Sequence, residues 1–91
     1  MAFEVGTKLI YDFAYFLRWY ALENYKVNPI QECTILENDK ERETIVVNTK
    51  FDQEIEFNDK AYGLCRCQRL NDGSWNLLVI KDPKLVVQVV E

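Results

Sequence analysis

The sequence predicts an α+β domain: one long N-terminal helix packed on a meandering antiparallel sheet of four to six strands. Three observations lead there. Apolar residues recur at helical spacing from Thr7 to Asn24. Beyond Pro29, stretches rich in β-branched residues alternate with short polar turn clusters. The chain has 91 residues, 48% hydrophobic and 29% charged. That is too apolar for a disordered chain and the right size for a single domain over 1–91.

The helix is read from Leu9, Ile10, Phe13, Phe16, Leu17 and Tyr20, with Gly6 or Thr7 as N-cap and Asn24 with Asn28-Pro29 as the stop. Two strands, Ile30 to Leu36 and Thr44 to Asn48, flank the turn Glu37–Glu41. Phe51 to Phe57 alternates strictly, with Phe51, Gln53, Ile55 and Phe57 on one side and Asp52, Glu54 and Glu56 on the other. Ala61 to Leu70 and Ser74 to Lys81 form a final hairpin. A two-residue Asp72-Gly73 turn would set Leu70 opposite Trp75, Gln68 opposite Leu77, Cys67 opposite Leu78 and Cys65 opposite Ile80. The tail from Leu85 is open to two readings. Its four valines suit an edge strand, while Asp82-Pro83 is a good helix start.

The composition weighs against catalysis. With no histidine, Ser-His and Cys-His nucleophile pairs and the commonest metal ligand are excluded. Three scattered glycines build no phosphate cradle. Cys65 and Cys67 point the same way on a strand, roughly 6.6 Å apart, a poor geometry for a disulfide. With Cys33 they read as small buried hydrophobes, and a thiol activated by Arg66 or Arg69 is the alternative. No catalytic residue, metal or cofactor is expected. The N-terminus has no export signal and no stretch spans a bilayer, so a cytoplasmic setting is expected.

Function is therefore sought in surfaces. Six of the twelve aromatics lie between Tyr11 and Tyr20. On the helical wheel Tyr11, Tyr15, Trp19 and Leu22 fall opposite the apolar face. A helix apolar nearly all round is covered on more than one side, either by its own chain or by a partner. These four residues are expected to mediate self-association, most simply as a symmetric homodimer.

The acids are unevenly placed. Glu37 to Asp59 carries eight acids and three bases, a net −5 within a chain of net −4. Glu37, Asp39, Glu41, Glu43, Asp52, Glu54, Glu56 and Asp59 would form an acidic strip, several at two-residue steps along extended chain. Carboxylates at near-regular intervals match backbone phosphates in charge and scale. In this the chain resembles the small acidic proteins encoded by phages that imitate DNA and block restriction nucleases. The resemblance is one of charge character over about a quarter of the sequence, and the strongest examples are far more acidic. It implies a non-enzymatic inhibitor that occupies the basic cleft of a DNA-binding or DNA-cleaving protein inside a host cell. Two copies would double the charge.

Two other readings stand beside it. One is an immunity-type or regulatory protein anchored on a partner through Tyr15, Trp19 and Trp75. The other is a single-strand nucleic-acid binder using Lys60, Arg66, Arg69, Lys81 and Lys84 near Tyr62 and Trp75. The overall acidity works against direct nucleic-acid binding.

Overall fold

The computed structural model describes residues 2–21, 26–58 and 66–90. Its elements run β1 (Lys8–Asp12), α1 (Ala14–Tyr20), β2 (Ile30–Asp39), β3 (Thr44–Thr49), β4 (Cys67–Arg69), β5 (Trp75–Ile80), a 3-10 turn (Pro83–Leu85) and β6 (Val86–Val89). The class is α+β, with a single short helix on a six-stranded antiparallel sheet of order β4-β5-β3-β2-β1-β6. The order is not a simple meander. β5 returns to β3, and β6 crosses to the far side of β1. Among the described residues no helix is long and apolar enough to cross a membrane.

The long helix is corrected to a strand followed by seven helical residues. Leu9 and Ile10 fit a helical spacing with Phe13, but Leu9 and Tyr11 alternate with Lys8, Ile10 and Asp12, and both are buried. Strand pairing wins because β2 and β6 flank this segment and satisfy its backbone on both sides. The expected N-cap, Gly6, instead sits at φ +91 and donates its N–H to the Ile35 carbonyl, leading the chain into β1. The helix begins where Asp12 Oδ1 accepts the Ala14 N–H at 2.9 Å. It ends at Ala21, whose extended backbone bridges to Phe57.

The first hairpin is longer than expected. β2 continues through Asp39, and the reversal is made by 40–43, where Asp39 Oδ1 accepts the Glu41 and Arg42 N–H groups at 3.0 Å. The segment Phe51 to Phe57 is not a strand. Phe51, Ile55 and Phe57 are buried as the alternation requires, but Gln53 is exposed, and only the bridge at Phe57 is sheet-like.

The last hairpin has a three-residue loop, 71–73, in place of two. The Leu70 N–H bonds the Ser74 carbonyl, the Gly73 N–H bonds the Leu70 carbonyl, and Gly73 takes φ +89. The register moves by one, to Arg69 opposite Trp75 and Cys67 opposite Leu77. Cys67 thereby joins Trp75, Leu77 and Val79 on the core side, and Gln68 turns outward. The tail reconciles both readings: Asp82 Oδ1 caps one turn through the Lys84 N–H, and the valines then form an edge strand.

One face of the sheet makes the core. Leu9, Tyr11, Cys33, Ile35, Ile45, Val47, Leu77 and Val79 are buried there, with Thr49 donating its hydroxyl to the Glu32 carbonyl. Over them lies a run of touching rings, Phe13–Phe51–Phe57 continuing to Phe16 and Trp75, with Phe57 and Trp75 centroids 4.7 Å apart at 77°. Edge-to-face pairs add to the area each ring buries.

Replacing Phe57 by alanine removes the ring shared by Phe16, Phe51 and Trp75. The expected loss is about 3–5 kcal/mol, read as a fall in the urea midpoint at unchanged slope. Alkali acts on Tyr11 in a defined direction. Burial foremost pushes its phenol up to about 12 from 10.0. The folded state thus favours the protonated form, and this stabilisation is complete below pH 10.0 and lost as pH rises toward 12. The urea midpoint should fall across that window, and less steeply in Tyr11→Phe.

Candidate functional site

Three of the exposed large apolar side chains, Tyr15, Trp19 and Ile80, line one groove. Among the described residues β4 pairs with β5 through Leu77, with the Leu78 N–H bonded to the Arg66 carbonyl, and Leu78, Val79 and Ile80 border a groove whose other wall is α1. The groove encloses about 480 Å³, within the range of ligand and side-chain pockets. Phe13 and Phe16 turn into the core, while the side of α1 that carries Tyr15 and Trp19 is open. Tyr15 is 55% exposed, Trp19 59% and Ile80 56%. The two rings are themselves in edge contact, 6.2 Å between centroids. At the floor the Tyr11 hydroxyl donates to the Ile80 carbonyl at 2.9 Å and accepts the Asp82 N–H at 3.0 Å. Arg66 enters from the residue before β4, with its guanidinium 5.5 Å from the Tyr20 ring centroid.

The structure divides the four residues expected to self-associate. Tyr15 and Trp19 are open as the wheel requires. Tyr11 is 1% exposed, because the strand places it on the core face, and it contributes only to the floor of the groove. Leu22 lies outside the described residues.

The acids do not form one strip. Glu37 and Asp39 lie on β2 and Glu41 and Glu43 in the turn that follows, while Asp52, Glu54 and Glu56 lie beyond the other end of β3. The eight residues from Glu43 to Lys50 run as strand for most of their length, which separates the two groups by roughly 20 Å. Asp59 lies outside the described residues. Glu54 is paired with Arg69 at 3.0 Å, an exposed contact worth little in stability but enough to neutralise the charge locally. Asp52 is approached by the Gln31 amide at 3.5 Å. Glu37, Glu41, Glu43 and Glu56 are exposed and make no ion pair among the described residues.

The bases are dispersed. Arg69 is held by Glu54 and lies 5.8 Å from the Trp75 ring, and Lys81 donates to Asn38 Oδ1 at 2.6 Å. Trp75 is 2% exposed and serves neither as a nucleotide platform nor as a partner anchor. Lys60 and Tyr62 lie outside the described residues. Among the described residues no group of three or more His, Cys, Asp or Glu is placed to hold a metal.

Cys33 and Cys67 are free and buried, and Cys65 lies outside the described residues. Burial pushes both thiols up to about 12, and the Arg66 charge only partly opposes this at Cys67. A thiol activated by Arg66 is therefore not what the surroundings of Cys67 produce.

The groove was only half legible beforehand. Tyr15 and Trp19 stood out by composition, but Ile80 and Leu78 join them only through the β3–β5 pairing, which nothing local in the sequence indicates. No protein-family model matches the chain, and neither the curated proteins nor the solved structures contain a match.

At neutral pH Cys33 and Cys67 should react with a disulfide reagent only through opening of the fold. Their modification is expected to be slower by orders of magnitude in native buffer than in denaturant. Mass mapping of the labelled cysteines checks this.

Proposed function

We propose that the chain is a non-enzymatic interaction protein that receives apolar side chains of a partner protein in the groove between α1 and the end of β5. The observation carrying this reading is the convergence of Tyr15, Trp19 and Ile80, each more than half exposed, on a single concavity. Scattered exposed apolar residues are ordinary, whereas a contiguous aromatic set in a depression is what partners use. Tryptophan and tyrosine bring large area at low entropic cost, and such anchors dominate binding energy when set in pockets.

A second reading is supported by the free carboxylates of the β2–β3 hairpin. Glu37, Glu41 and Glu43 are exposed and unpaired among the described residues, and would meet a basic, DNA-acting protein in the manner of a nucleic-acid decoy. Binding of that kind weakens steeply with salt.

Capture of partners from lysate on the wild-type chain, on Trp19→Ala and on the double charge reversal Glu37→Lys with Glu41→Lys separates the two. The groove reading expects the partner to be lost with Trp19→Ala by about 30-fold or more, and kept through the charge reversal and through high salt. Loss on charge reversal with full retention by Trp19→Ala would overturn it in favour of the hairpin. A mass in solution that falls from dimer to monomer in Trp19→Ala would make the occupant a second copy of the chain.

A further inference from the structure

The groove contains one cation whose donors are not all used. Arg66 Nε is buried and has no hydrogen-bond partner among the described residues. A buried donor left without an acceptor is costly, and native structures almost always supply one. Two of the groove's other polar groups already hold backbone partners. The Tyr11 hydroxyl is committed to Ile80 and Asp82, and Asp12 Oδ1 accepts the Ala14 N–H. The stacking of Arg66 on Tyr20 satisfies the face of the guanidinium and leaves its edge unanswered.

Taking the groove as the binding site proposed above, we infer that the peptide segment it receives carries a carboxylate beside its apolar anchor. Arg66 takes that carboxylate on its Nε–H and Nη–H edge after a small side-chain rotation. Planar two-point recognition of this kind is the guanidinium's particular capability. A singly charged carboxylate suits the site better than a dianionic phosphate, because Asp12 lines the same groove and the chain is already at −4. Aromatic walls around the cation exclude water and strengthen the pairing.

Two probes with one apolar body test this: N-acetylphenylalanine, which bears a carboxylate, and N-acetylphenylalanine amide, which does not. Each is titrated into the full chain while the Trp19 indole N–H resonance is followed. The acid should bind at least about tenfold more tightly than the amide, and Arg66→Gln should abolish that preference. Equal affinities in the wild-type chain, a comparison that needs no variant, would overturn the inference and leave the groove reading standing. A preference that survives in a folded Arg66→Gln would overturn it as well. If neither probe moves the Trp19 resonance, the groove reading itself falls.

Discussion

The Tyr11 hydroxyl holds the molecule in its curled form. It lies on β1, yet it donates to the last carbonyl of β5 and accepts the N–H of Asp82. In a flat sheet β1 and β5 would stand three strand spacings apart, roughly 14 Å, beyond the reach of a tyrosine. The contact therefore requires the core face to bend inward, and the register shifts between Ile10 and Tyr11 and between Ile35 and Glu37 give the strands that bend. The ring of the same tyrosine packs edge-on against Phe3 and Phe13, so one side chain joins the sheet, the aromatic layer and the β5–β6 connection. The groove exists because of this curl. Its floor is Tyr11, and its two walls approach each other only when the end of β5 is drawn toward the helix.

The two surface features differ in how they are built. The aromatic groove is made from α1 and β5, both fixed by the core behind them. The carboxylates are divided between a hairpin and an irregular segment at opposite ends of β3. At physiological salt, charges so far apart hardly sense one another. The protein thus avoids the self-repulsion that a continuous strip would bring, and presents small separate acidic zones in its place. The polar contacts on the outer side of the sheet, such as Asn48 Nδ2 to Asn76 Oδ1 at 3.0 Å and to the Ser74 hydroxyl at 3.1 Å, belong to the scaffold.

Much of the fold was legible. The two strands of the first hairpin, the final hairpin and the burial of Phe51, Ile55 and Phe57 follow from alternation and turn chemistry. What failed did so for physical reasons. Over Lys8–Asp12 a helical period runs through Leu9 and Ile10 and a strand period through Leu9 and Tyr11, and the choice is made by distant partners, β2 and β6. The hairpin register turned on whether Gly73 closes a two-residue or a three-residue loop, which its left-handed conformation permits either way. A helical period over Lys8–Asp12 puts Tyr11 in solvent and the strand period puts it in the core, since one change of period moves a side chain from one face to the other. The helical face that carries Tyr15 and Trp19 was read correctly because that part of the segment is helix.

The pairing of β1 with β6 ties residue 8 to residue 90, through the Val90 N–H and the Lys8 carbonyl at 2.8 Å. During synthesis, then, β1 leaves the ribosome well before β6 and has one of its edges bare until β6 has been made. Neighbours so remote along the chain slow the search for the native arrangement. Over that interval the exposed edge of Lys8–Asp12 is the place where a nascent molecule is most open to mispairing with other chains.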